Sequence, residues 1–333
     1  MNKKTIAIYL GDPAGIGPEE VAKVAAEGYL QDKCNTLILG DERVFRKALA
    51  LIGKSVDYLR VTREEDISFE NHAICLYDLQ DIDPEEITMG QIDARCGRTC
   101  IRQIDLGIEL WRKHIIDGAL FAAVNKAAVK AAIGEHYSSE FSYMIEALDF
   151  KGYASEVNHM DNIFTTRIVS HIPMRQMCDN ITQEKVENAI RLLYTTMVKA
   201  GIKNPRIAVA ALNPHGGEAG TCGREEIDIM EPAMEAMRKE GYPTSGPYPA
   251  DTVFQRAFRK NEFDGIVTMY HDQGQIALKL LGFEHAVSIL GGLPMPVVTP
   301  AHGTAFEIAG QGIASVEAFR HTVDDLVSIV NYG

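Results

Sequence analysis

Three histidines occupy the same kind of position in this chain: His171 ends RIVSH, His215 follows VAALNP, and His271 ends GIVTMYH. Each comes just past an apolar run of strand character. In open α/β sheets the carboxyl ends of strands line the ligand crevice, so imidazoles far apart in sequence can converge there. Neutral imidazoles suit divalent transition ions, and three of them leave a coordination position open for a substrate oxygen. The alternative is that each histidine hydrogen-bonds its own loop, and no local H-E-x-x-H spacing decides between the two. In HDQGQIALK, Asp272 is placed to orient an imidazole and Lys279 to meet a carboxylate or phosphate. Lys279 reads equally as a solvated helix residue. Asp251, in GPYPADTVF, reads first as a helix N-cap.

Two glycine-rich stretches are candidates for a cofactor. The first, GDPAGIGPEE at 11–20, follows a strand and opens a helix, but its spacing is G-x-x-x-G-x-G. A dinucleotide fingerprint needs G-x-G-x-x-G. Glu19 and Glu20 also stand where a pyrophosphate would sit, which suits the helix dipole and repels a phosphate. That leaves the turn as a cleft wall, with Asp12 a candidate functional residue. The second stretch, PAHGTAFEIAGQGIAS at 300–315, offers His302, Gly303 and Thr304 as a turn whose backbone meets a ligand. Glu307 there can accept from ribose hydroxyls, which favours NAD and disfavours the 2′-phosphate of NADP.

The elements that must position these residues alternate short apolar runs with helical patterns. TIAIYL, NTLILG and ALFAAV read as strands, each followed by a helix; RIAVAAL and GIVTMY repeat the rhythm later. This is the pattern of largely parallel sheets covered by helices. Helices are expected over 98–116, 183–200, 225–240 and 315–330, with Trp111 in the core of the first, while 135–144 reads as irregular. The chain has 333 residues, 46% of them hydrophobic, enough for two lobes. A net charge of -13 without a basic block argues against nucleic acid or an anionic membrane as partner. No signal peptide or membrane-length apolar run is present, so a cytoplasmic location is expected. Six scattered cysteines read as reduced side chains, and Cys96 and Cys100, four apart on a helix, lack two further zinc ligands.

Taken together, GDPAGIGPE at 11–19, NK at 125–126, LNPHGGE at 212–218, PADT at 249–252, MYHDQG at 269–274 and HGTAFEIAGQGIAS at 302–315 resemble the 4-hydroxythreonine-4-phosphate dehydrogenase (PdxA) family over nearly the whole chain, in order. The resemblance implies a two-lobed isocitrate/isopropylmalate dehydrogenase-like α/β fold with an active-site cleft between the lobes. Residues 1–137 plus about 300–333 would form one lobe. Residues 138–299 would form the other, with the metal ligands and dimer contacts. It also implies a homodimer with a shared active site, NAD or NADP as oxidant, and a divalent metal (Zn, Mg, Mn, Co or Ni) held by His171, His215 and His271 across the dimer. HGTAFEIAG is similar to the adenosine-binding loop of isopropylmalate dehydrogenases, which puts Glu307 on the ribose. The activity implied is oxidation of a secondary hydroxyl with decarboxylation, the general base being Asp251, Asp272 or Lys279.

The departures from that pattern concern the substrate. Where the family has GHTE this chain has YSSEFS, so Ser138, Ser139 and Glu140 become the candidate substrate contacts; Ser288 stands for an Asn and Val297 for an Arg. Losing a bidentate guanidinium removes a contact worth roughly 1.5–3 kcal/mol. A serine and paired glycines near 288 are similar to the terephthalate cis-dihydrodiol dehydrogenase branch. The expectation is therefore a small non-phosphorylated hydroxy acid. The alternatives are the phosphorylated hydroxythreonine of pyridoxal phosphate biosynthesis, and a phosphate acyltransferase-like or metal-binding protein without redox activity.

Overall fold

The computed structural model describes residues 3–282 and 285–333. The chain divides into two compact units, residues 1–151 with 293–331 and residues 152–292 with 332–333. Both boundaries differ from those expected. Residues 140–147, which begin inside the stretch 135–144 read as irregular, form a helix that belongs to the first unit, and the Pro-rich stretch near 297 holds a strand of the same unit.

The first unit runs β1 (Thr5–Tyr9), α1 (Gly17–Ala26), α2 (Tyr29–Lys33), β2 (Asn35–Gly40), α3 (Glu42–Leu51), β3 (Leu59–Val61), β4 (Ile74–Asp78), α4 (Ala94–Arg112), β5 (Gly118–Phe121), α5 (Lys126–Ile133) and α6 (Glu140–Ala147). Its strands lie in the order β3-β4-β2-β1-β5 and are parallel. All of β5 and every residue of β1 and β2 after the first are buried. That is why these segments read as continuous apolar runs, since a parallel sheet is covered on both faces. Gly97 in α4 lets α5 approach: a Cβ there would stand 2.1 Å from the Ala128 carbonyl oxygen. Trp111, expected in the core, is only half-buried because it falls in the last turn of α4.

The second unit runs β6 (Ser155–Met160), β7 (Ile163–Val169), α7 (Gln183–Lys199), β8 (Ile207–Ala210), α8 (Glu231–Lys239), β9 (Thr244–Tyr248), α9 (Ala250–Lys260), β10 (Gly265–Tyr270), α10 (His271–Gly282) and β11 (Val287–Gly291). The order is β11-β6-β7-β10-β8-β9; β6 is antiparallel to both its neighbours and the rest are parallel. The chain then re-enters the first unit through β12 (Val297–Pro300), parallel to β5, and α11 (Glu317–Tyr332). Among the described residues no helix is long and apolar enough to cross a membrane.

Candidate active site

In the second unit β7, β10 and β8 are adjacent parallel strands, and His171, His271 and His215 follow their carboxyl ends. Tyr270 pairs with Val169, so the turns after β7 and β10 emerge side by side. The rings of His171 and His271 are 5.7 Å apart. They share a pocket of about 280 Å³ with Ser170, Met174, Tyr270 and Asp272. His171 has a φ of +54°, in the left-handed region, at some backbone cost.

His215 is held by more unusual backbone. Residues 215–219 all have positive φ, three of them non-glycine, and left-handed backbone costs a non-glycine residue roughly 1–2 kcal/mol. The turn persists because the buried Glu226 carboxylate pins its start. Glu226 Oε1 accepts from the backbone N–H groups of Leu212 (2.9 Å) and Asn213 (2.7 Å), and Oε2 accepts from Asn213 Nδ2 (2.9 Å). Sequence reasoning passed over Glu226, which stands in the charged run Arg224–Glu225–Glu226 and is marked by nothing local.

The histidine surroundings suit a metal. His215 Nδ1 meets Glu218 at 2.9 Å and His271 Nδ1 meets Asp272 at 2.7 Å. In each case the carboxylate engages one nitrogen and leaves Nε2 as the one for a ligand, the arrangement seen around metal-bound histidines. The hydrogen bond and charge of Glu218 raise the His215 pKa, and Asp251 adds to this from α9. Among the described residues, no group of three His, Cys, Asp or Glu side chains closes into a metal site. Asp251 is not an N-cap: Pro249 holds that position, and Asp251 is an exposed first-turn acid.

Lys279 is exposed and lies one turn beyond Gln275 on α10. Gln275 Nε2 donates to Asn158 Oδ1 at 2.6 Å, and Asn158 Nδ2 donates to Ser288 Oγ at 2.9 Å. Side chains four apart on a helix share a face, so Lys279 lies on the face of α10 that carries Gln275. Arg167, which the sequence reading left inside a strand, joins that network. Val297 is 1% exposed, within β12 and paired with Ala119.

In the first unit, Ser139 caps α6 by accepting from the Ser142 N–H at 3.1 Å, while Ser138 is exposed. Burial, and then Glu140, push the Tyr137 phenol well above its ordinary pKa. The segment after β12 is bolted to α1. Ala314 N–H donates to Glu19 at 2.7 Å, Lys23 donates to the Ala314 carbonyl at 2.7 Å, and His302 Nε2 lies 2.9 Å from Glu20. Ile16 N–H donates to the Thr304 carbonyl at 3.1 Å, and a Cβ on Gly15 would meet Thr304 Cβ at 2.9 Å. The two glycine-rich stretches therefore form one structure. Glu19 and Glu20 of α1 hold the second stretch in place. Beside them a cavity of about 130 Å³ is lined by Gly15, Pro18, Val44, Leu51, Met89 and Gly310. Gly303 and Glu307 are exposed nearby in sequence.

The model of the family described as "Pyridoxal phosphate biosynthetic protein PdxA" matches residues 32–325. A Pseudomonas aeruginosa protein provisionally named 4-hydroxythreonine-4-phosphate dehydrogenase 2 is 40% identical over 96% of this chain and 95% of its own. A Clostridium botulinum protein provisionally named D-threonate 4-phosphate dehydrogenase is 34% identical over 94% and 93%. The crystal structure of 4-hydroxythreonine-4-phosphate dehydrogenase from Klebsiella pneumoniae is 34% identical, with a TM-score of 0.85 over 98% of both chains. Two more distant structures share the fold alone. The terephthalate 1,2-cis-dihydrodiol dehydrogenase of Burkholderia xenovorans is 24% identical, TM-score 0.68, over 95% of each chain. A β-decarboxylating dehydrogenase of Thermococcus kodakarensis is 15% identical, TM-score 0.51, over 96% and 81%. The expected leaning toward the terephthalate branch is therefore not carried by similarity. With its two-unit isocitrate/isopropylmalate dehydrogenase-like fold, this chain belongs to the PdxA family.

Proposed function

We propose that this protein is an NAD-linked, divalent-metal-dependent dehydrogenase that oxidises a secondary hydroxyl of a small phosphorylated hydroxy acid, of the hydroxythreonine- or threonate-phosphate type. The observation that carries the reading is the His171–His271 pair at the ends of neighbouring parallel strands, with Asp272 on one ring and Glu218 on the ring of His215. The names of the relatives support the phosphate ester. This replaces the non-phosphorylated substrate expected above from the departures at Ser138–Glu140, Ser288 and Val297, the last of which lies in strand core.

His171, His215 and His271 would hold the metal, and Glu307 with the turn from His302 to Thr304 would hold the cofactor. When bound, the cation lowers the hydroxyl pKa and the nicotinamide accepts the hydride. The chain's own residues then divide the remaining work. Asp251, Asp272 or Lys279 takes the hydroxyl proton, and Ser138, Ser139, Glu140 and Ser288 orient the substrate. When the oxidised carbon is β to a carboxylate, loss of CO₂ follows from the keto acid. The exposed Ile276, Leu280 and Leu281 of α10 favour a homodimer, in which the three histidines assemble from two subunits.

NADH formation, followed at 340 nm with added metal, tests the reading directly. Turnover of 4-phosphohydroxythreonine or threonate 4-phosphate is expected, with little from the dephosphorylated acids. The reverse order of activity would overturn the substrate class. Failure of NAD to bind in calorimetry would remove the redox reading, and a monomer in light scattering would remove the shared site.

A further inference from the structure

The second unit buries one guanidinium where packing alone would be served by an aliphatic side chain. Arg167 points from β7, two residues before Val169 on the same face, and is 6% exposed. Three of its edges are occupied. Nε donates to Ser170 Oγ at 2.6 Å, Nη1 donates to Asn158 Oδ1 at 2.9 Å, and Nη2 pairs with Glu156 Oε2. Two of these partners are neutral and fixed: Asn158 is itself held by Gln275 and Ser288, and Ser170 lines the pocket of His171 and His271. The third partner differs. The Glu156 side chain is 37% exposed and reaches the guanidinium from the solvent side.

A buried arginine is costly unless paired, and a planar fork already aligned by neutral partners is pre-organised for an oxyanion. Glu156 is the one charged partner and also the replaceable one. Resting on the reading of the site given above, we propose that Arg167 is the specificity-determining cation of this site. The anionic group of the substrate, a phosphate monoester or a carboxylate, displaces Glu156 and takes the outer N–H edge of the guanidinium. Glu156 is then an internal stand-in that keeps Arg167 paired when no substrate is bound, and Asn158, Gln275 and Ser288 are its positioning residues.

The test uses anion binding by the full-length protein, so that it stands apart from turnover. Calorimetry with phosphoserine as the phosphomonoester probe and with malonate as the carboxylate probe is run on the wild type, Glu156→Gln, Arg167→Lys and Arg167→Gln, each checked by thermal melt. Glu156→Gln should tighten binding of one probe several-fold, because the competing charge is gone while its hydrogen-bonding shape remains. Arg167→Gln should weaken it by about tenfold or more, and Arg167→Lys should fall between, having charge without the fork. Whichever probe responds identifies the anion. Equal binding by the wild type and a folded Arg167→Gln overturns the proposal. If Arg167→Gln does not fold, Glu156→Gln decides, and unchanged or weaker binding by it overturns the proposal. Absence of NADH formation with every hydroxy acid, alongside the expected binding changes, would instead overturn the dehydrogenase reading and leave the anion site standing.

Discussion

The carboxylate of Glu20, fully buried in α1, lies 2.9 Å from Nε2 of His302 in the segment after β12, joining the two glycine-rich stretches at opposite ends of the chain. Burial disfavours the His302 cation, but the hydrogen bond and charge of Glu20 outweigh it and raise the pKa. A raised histidine contributes stability that is fully present below its unfolded pKa of about 6.5 and is lost as pH rises through the folded value. The wild type should therefore lose thermal stability, as pH rises above about 6.5, more steeply than His302→Gln. Each kcal/mol of difference corresponds to about 1–2 °C in Tm for a chain of this length. Parallel Tm curves for the two proteins would show that the pair is not ionised.

Asp12 has the opposite kind of cost. Burial lifts its pKa to about 6 although it accepts from the Ala14 N–H at 2.8 Å. The folded state thus holds this proton more tightly than the unfolded chain, so stability falls as pH rises from about 4 to 6 and the cost is fully present above that. Asp12→Asn should stabilise the protein at pH 8 by on the order of 2 kcal/mol and do little at pH 4. Urea unfolding at the two pH values checks this; an equal effect at both would assign the change to packing.

For the histidines, metal content is the discriminating measurement. His171→Ala and His271→Ala should each abolish bound metal, measured by mass spectrometry, with the melting temperature held within a few degrees. His215 sits at φ +52°, so Asn, which tolerates left-handed backbone, is the better replacement there. Metal retained at the wild-type level in all three would refute the three-histidine site.

The α4–α5 contact should tolerate no added atom at Gly97, because the clash is with backbone at 2.1 Å and no side-chain rotamer can relieve it. Gly97→Ala is expected to cost about 3 kcal/mol or more, read as a fall in the urea midpoint.

Much of the architecture is written in local pattern. The runs at 5–9, 35–40, 207–210 and 265–270 are apolar because parallel strands are buried on both faces, and that signature needs no partner to be read. The histidines were legible for the same reason, since each directly follows or closely trails such a run. Strands β6, β11 and β12 were not, because their sequences mix polar, Gly and Pro residues and pair only once the β-sheet exists. Side-chain partnerships across long separations were invisible too: Arg167 with Asn158 and Glu156, Glu226 under the His215 turn, and Glu19 and Glu20 under the segment from 302 to 314. Strand periodicity constrains which residues can be buried and in what order. Which buried charge finds which partner depends on strand order and helix packing, and those come into being only in the folded chain.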